Sequence, residues 1–233
     1  MREGERHRHG CGVDTGHHEA GPPGCAPMGR FGWYRRFHAW VLHAYADRYN
    51  ALVDDRKRRL IGGLRGAVLE IGAGSGANLP FYNAAVRWTA LEPNREAHAY
   101  LRGKAAARGL AATVLEGAAE AIPLPDGSQD AVVSTLVLCT VRDPALTLAE
   151  VLRVLKPGGR FVFVEHVGAE RGSARRRRQE LVKPVWRWLA DGCEPDRDTA
   201  ARIAAAGFRE VDIERFLMPY PVVGPHIAGA AVK

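Results

Sequence analysis

Apolar and polar positions change rhythm several times along this chain. Residues 1–29 carry Gly, Pro, His and charge with hardly any large apolar side chain, the composition of a disordered tail. From Phe31 to Ala46, the residues Trp33, Tyr34, Phe37, Trp40, Val41 and Tyr45 recur at spacings of three and four, which predicts an amphipathic helix. Arg35, Arg36 and His38 flank its apolar stripe, so the 31–46 segment suits either a cover packed over a domain or peripheral contact with a membrane surface. A second helix is expected over Asp47 to Leu64, its Asp54, Asp55, Arg56, Lys57, Arg58 and Arg59 reading as a solvated face.

Beyond Leu64 short apolar runs alternate with helical stretches. Strands are expected at Ala67 to Ile71, Val86 to Leu91, Ala112 to Leu115, Ala131 to Leu138 and Arg160 to Val167, with helices at Asn94 to Arg108 and Asp143 to Leu155. Such alternation predicts an α/β fold whose parallel sheet is covered by helices on both faces. Two last strands, Arg209 to Phe216 and His226 to Val232, are joined by Met218, Pro219, Tyr220 and Pro221. That link is too short for a parallel crossover, so one of the two is antiparallel. The expected organisation is a tail (1–29), a helical cover (30–64) and one domain (65–233).

Composition narrows the function classes. A chain of 233 residues with 46% hydrophobic and 25% charged residues can bury a full core, which excludes global disorder, collagen and membrane-bundle readings. The net charge of +7 is modest for this length. It attracts anions, yet no aromatic and basic recognition pattern accompanies it, so no specific nucleic-acid partner is expected. No apolar run approaches the roughly 18 residues of a membrane span, and the polar N-terminus does not read as a secretory signal. Cys11, Cys25, Cys139 and Cys193 are too dispersed for a secreted disulfide framework, which points to a reducing, cytoplasmic setting. His7, His9, Cys11, His17, His18 and Cys25 in the tail match no compact zinc spacing, and no metal site is expected.

The chemistry concentrates in Val68-Leu69-Glu70-Ile71-Gly72-Ala73-Gly74-Ser75-Gly76-Ala77-Asn78, a strand running through a glycine loop toward a helix start. Glycines allow close approach of a ligand, and free amides at a helix start favour its anionic end. Alone, the loop could equally serve a nicotinamide dinucleotide, with a tight strand-helix turn that holds no ligand as the lesser reading. Leu91-Glu92-Pro93-Asn94 adds a carboxylate at the end of the second strand, where its two oxygens match two ribose hydroxyls. Glu70, directly before the loop, would attract an ammonium group and repel a pyrophosphate. With the helix stop at Lys156-Pro157-Gly158-Gly159 and the closing antiparallel pair, these features favour S-adenosylmethionine over a dinucleotide.

On these residues the sequence resembles the class I S-adenosylmethionine-dependent methyltransferases, over Tyr49 to Lys233. More closely, it resembles the methyltransferase-like 7 family of thiol S-methyltransferases through Arg48-Tyr49-Asn50, Leu136 to Val141, Val164-Glu165-His166-Val167, Pro184-Val185-Trp186, Asp191-Gly192-Cys193 and Pro225 to Gly229. The resemblance implies a Rossmann-like, seven-stranded, mostly parallel sheet with an antiparallel terminal strand. It implies that Glu70, Gly72, Gly74 and Gly76 hold the methionine end of the cofactor and that Glu92 and Pro93 border the ribose. Ala118, Ala119 and Glu120 would border the adenine; where many relatives carry an acidic residue this chain has Ala118, so a backbone acceptor or Glu120 takes that role. Thr135 and Leu136 would lie under the sulfonium.

The implied activity is methyl transfer to a small molecule, with a thiol favoured. Quinone or phenol methylation is the alternative, and RNA modification a weaker one. A thiol with a pKa of about 8.5 is several per cent thiolate near neutrality, so one histidine suffices to assist it. His166, at the carboxyl edge of the fifth strand, is the candidate base or orienting group, and His226, at the start of the last strand, is the second. Cys139 and Cys193 read as small buried apolar residues with no covalent step. Trp186 and Trp188, following Arg175 to Arg178, are expected to line the substrate cover.

Overall fold

Residues 48–233 are described by a computed structural model; the tail and the aromatic 31–46 segment lie outside the described residues. The chain is helical over 48–61 (α1) and then alternates as its pattern predicts. The strands are β1 (Gly66–Ile71), β2 (Val86–Leu91), β3 (Ala111–Leu115), β4 (Gln129–Thr135), β5 (Leu155–His166), β6 (Glu210–Leu217) and β7 (Pro225–Val232). Between them lie α2 (Arg95–Ala106), α3 (Pro144–Val154), α4 (Ala174–Leu189) and α5 (Thr199–Ala205). Side-chain caps start four of the helices: Asn94, Asp143, Ser173 and Asp198 each accept from a backbone N–H of the first turn.

The strands form one seven-stranded sheet in the order β3-β2-β1-β4-β5-β7-β6. Strand β7 runs antiparallel to both β5 and β6, and the other pairs are parallel. Successive strand residues face opposite layers. Leu69, Ile71, Val132, Phe161 and Phe163 pack against Leu148 and Val151 of α3 and Ile203 of α5. Val68, Trp88, Ala90 and Val133 pack with Ile61 of α1 and Leu101 and Ala105 of α2. The order reverses between β1 and β4, and the carboxyl ends flanking that switch point are where such sheets bind ligands.

Three local expectations change. Strand β4 ends at Thr135 rather than Leu138, because Leu136 turns left-handed (φ 57°) and Val137 to Thr140 close a turn through Thr140 N–H to Val137 O at 2.8 Å. Strand β5 starts at Leu155, and its Lys156-Pro157-Gly158-Gly159 bulges out between the Gln129–Leu155 and Ala131–Arg160 pairs. The charged face of α1 is only partly solvated. Lys57 is fully buried and donates to Asn50 Oδ1 at 2.7 Å, while Arg56 and Arg59 both grip Glu214 of β6.

Candidate active site

The three loop glycines all adopt the left-handed backbone, at φ 59°, 53° and 68° for Gly72, Gly74 and Gly76. A Cβ on Gly72 would lie 2.6 Å from the Val137 side chain, and one on Gly76 would lie 2.7 Å from Leu79. A Cβ on Gly74 would meet nothing nearer than 3.8 Å. Packing therefore demands glycine at the outer positions, and the middle one presents bare backbone to open space, as close approach of a ligand requires.

Glu92, at the end of β2, reaches across to this loop. Its Oε2 accepts the Gly74 N–H at 2.8 Å and its Oε1 the Asn94 N–H at 2.9 Å. Each oxygen retains a lone pair, enough for two hydroxyl donors. Pro93, beside it, is exposed.

The Glu70 carboxylate is buried and held by internal donors. Oε1 accepts from Asn78 Nδ2 at 3.0 Å, and Oε2 accepts from the Tyr82 hydroxyl at 2.8 Å and the Trp88 indole at 2.9 Å. Burial pushes its pKa up, opposed by these hydrogen bonds and by the charge of Lys57. Three internal donors thus orient the carboxylate expected at the methionine end, and Oε1, with one donor, keeps a lone pair. Its work is to orient Asn78, whose Nδ2 also donates to Thr135 Oγ1 at 3.0 Å. Asn78 Oδ1 is then a buried acceptor with no donor among the described residues. An unpaired buried oxygen is costly, and a cationic donor such as a methionine ammonium would satisfy it. Asn78 was part of the motif read from the sequence but was given no role there. The visible signal was an amide side chain where the glycine loop meets the Leu79–Phe81 turn of 3-10 helix, a turn it does not cap.

S-adenosylmethionine fits this constellation. Asn78 Oδ1 would take its ammonium, the open backbone at Gly74 its amino-acid end, and Glu92 its ribose. Asn50 of α1 braces the arrangement by donating to Ala77 O at 3.2 Å. Past β3, Ala118 is exposed and Ala119 buried, while Glu120 Oε1 accepts from Arg142 N–H at 2.8 Å. That bond ties the expected adenine border to the start of α3. Leu136 holds its left-handed turn by donating its N–H to Val164 O at 3.0 Å, and Glu165 Oε1 draws in Val137 N–H at 3.1 Å and the Ser134 hydroxyl at 2.6 Å.

At the other end of the carboxyl edge His166 is buried, with Nε2 3.0 Å from Cys193 Sγ and with Nδ1 unpartnered. Cys139 joins them: donor atoms of Cys139, His166 and Cys193 all lie within 4.8 Å of one another. The Trp186 indole donates to Cys193 Sγ at 3.3 Å. Hydrogen bonds from Cys139, His166 and Trp186 pull the Cys193 thiol down to about 4 against its burial, and Cys139, the donor within the thiol pair, is pushed up. The two cysteines expected to be inert apolar fill are therefore part of a polar cluster that residues 54 positions apart in sequence could not reveal. His226 is cross-strand from His166, but its Nδ1–H donates to Gly224 O at 3.0 Å and burial lowers its pKa to about 4. It is a neutral ring packed between Tyr49 and Phe216. Of the two tryptophans, only Trp186 faces this cluster; Trp188 is exposed on α4 beside Leu181, Val185 and Leu189.

Comparison with known proteins bears on this geometry. Residues 69–163 match the family described as "Methyltransferase domain". The chain is 36% identical over 214 residues to human thiol S-methyltransferase TMT1B, covering 85% of this chain and 87% of that protein. It is 34% identical to human thiol S-methyltransferase TMT1A, covering 88% and 90%. Among solved structures, a possible histamine N-methyltransferase from Thermotoga maritima superimposes with a TM-score of 0.57 at 21% identity, over 83% of this chain and 98% of that one. The [4+2]-cyclase SpnF gives a TM-score of 0.61 at 24% identity over 80% of each chain. These two share the fold.

Proposed function

The chain belongs to the thiol S-methyltransferase family and is an S-adenosylmethionine-dependent methyltransferase, and from that premise we propose that it methylates a small apolar thiol in the cytoplasm. The bound cofactor supplies a methyl group on a sulfonium, already an excellent leaving group. What remains for the protein is alignment of acceptor sulfur, methyl and leaving sulfur. In this reading Glu92 fixes the ribose, and the glycine loop together with Asn78, oriented by Glu70 and Thr135, fixes the amino-acid end. Leu136 and Thr135, at the end of β4, set the depth of the methyl. Ala118, Ala119 and the Glu120 loop border the adenine.

The observation that carries the thiol assignment is the character of the acceptor side. His166 and two cysteines stand beside an apolar cluster of Tyr49, Val53, Val164, Met218 and Leu136. A soft, apolar nucleophile that ionises readily needs no strong base, and His166, in contact with Cys193, gives that side its polar group. We assign His226 a shaping role, since its ring is neutral and its Nδ1–H is committed to Gly224. Two buried free thiols suit a reducing compartment, and no helix among the described residues is long and apolar enough to cross a membrane.

A cofactor-dependent screen of alkyl thiols, phenols and quinones, read by product mass, tests the proposal. Methylated thiols with unmodified phenols and quinones are expected. Turnover confined to phenols or quinones would overturn the thiol assignment.

A further inference from the structure

Three soft donor atoms converge at the carboxyl edge from separate segments: Cys139 from the turn after β4, His166 from the last position of β5, and Cys193 from the loop after α4. All three are buried. Their loops are clamped together. Glu194 N–H donates to Cys139 O at 2.9 Å, and Arg197 Nη1 bridges Leu138 O at 2.7 Å and Val141 O at 2.6 Å. Cys193 follows two residues in left-handed backbone, Asp191 (φ 50°) and Gly192 (φ 85°), the residue types that enter that region most readily. The Trp186 N–H on Cys193 Sγ is the kind of outer hydrogen bond that steadies a metal-bound thiolate. His166 Nε2 lies 3.0 Å from Cys193 Sγ, a contact that a cation held between them would replace, and its buried Nδ1 has no partner among the described residues.

Two sulfurs and one imidazole select a soft, tetrahedral ion, zinc above all. Two thiolates balance its charge, which removes the main obstacle to burying it. Three protein ligands leave tetrahedral zinc one position short, the arrangement of catalytic rather than closed structural sites. One of the three donors touches the residue assigned to the methyl-transfer end: Cys139 Sγ lies 3.5 Å from the carbonyl oxygen of Leu136.

We propose that Cys139, His166 and Cys193 hold a zinc ion whose fourth position takes the sulfur of the acceptor; the second half rests on the thiol reading above. The acceptor's S–H proton leaves to solvent as its sulfur binds the metal. The coordinated thiolate then attacks the methyl carbon, and the C–S bond to the sulfonium breaks with its electron pair kept by the departing sulfur. The neutral thioether product is a weaker ligand and dissociates.

The test uses the full chain purified under reducing conditions without chelators. Elemental analysis is expected to find stoichiometric zinc. Its cobalt-substituted form is expected to show thiolate-to-cobalt charge transfer that Cys139→Ser and Cys193→Ser each abolish. Far-UV circular dichroism and S-adenosylhomocysteine affinity, measured in both variants, report an intact fold. Trp186→Phe should weaken metal retention by about 10- to 100-fold. Benzyl mercaptan, but not benzyl alcohol, should shift the visible cobalt bands. Absence of metal in folded protein, or a Cys139–Cys193 disulfide in its place, overturns the site; an unchanged cobalt spectrum with thiol overturns the open position. Metal-free protein that still methylates thiols would refute the site and leave the thiol reading standing. Metal-loaded protein that methylates only phenols would do the reverse.

Discussion

The backbone N–H of Gly74 donates to Glu92 Oε2 at 2.8 Å, joining the tip of the glycine loop to the carboxylate at the end of β2. The two halves of the cofactor site are thereby one hydrogen-bonded unit, since the residue assigned to the ribose also positions the loop assigned to the amino-acid end.

Glu92→Ala removes acceptors from Gly74 and Asn94 together with the ribose contact. Charge-assisted hydrogen bonds are worth about 1.5–3 kcal/mol, so S-adenosylhomocysteine should bind about 10- to 100-fold more weakly by calorimetry. Unchanged affinity would remove Glu92 from the site.

Gly72→Ala and Gly74→Ala should differ in kind. Both place a side chain in left-handed backbone at a cost of about 1–2 kcal/mol. Gly72→Ala additionally drives its Cβ into Val137, so it should lose clearly more stability in urea denaturation. Gly74→Ala should fold and lose cofactor binding. Equal destabilisation of the two variants would contradict the packing role given to Gly72.

Asn78→Ala deletes the donor to Glu70 and Thr135 and the unpaired Oδ1 acceptor. Its effect should depend on the ligand: S-adenosylhomocysteine should lose about 10-fold more affinity than methylthioadenosine, which lacks the ammonium. Equal losses for both ligands would show that Asn78 does not read the amino-acid end.

Lys57 carries a pKa lowered to about 8 from 10.5, chiefly by burial. The unfolded chain holds that proton more tightly than the native one between those values, so native stability should rise with pH from about 8 to 10.5. Lys57→Met should flatten this rise in chemical denaturation and raise stability at pH 7, where the buried ammonium carries its full desolvation cost. A rise that persists unchanged in the variant would exclude Lys57 as its source.

Much of the fold was legible because its determinants are local. The five parallel strands appeared as short apolar runs, and the link from Met218 to Pro221 required an antiparallel pair whatever the rest of the chain did. Two expectations failed for non-local reasons. Leu136 to Leu138 are apolar enough for a strand, but Glu165 on the neighbouring strand captures the Val137 N–H and turns the chain. The arginine and lysine run of α1 looks solvated by composition, and only the packing of α1 over the glycine loop and β6 buries Lys57.

For the site, the sequence by itself determined the glycine loop, the carboxylate at the end of β2 and the family, because a strand, a tight turn and the residue ending the next strand are set by short-range pattern. Tertiary structure alone decided that Glu70 holds Asn78, and that Cys139, His166 and Cys193 meet. Those relationships depend on which strand lies beside which and on how three loops close over one edge. Such distances are fixed by the sheet order and by packing, and no one-dimensional spacing encodes them.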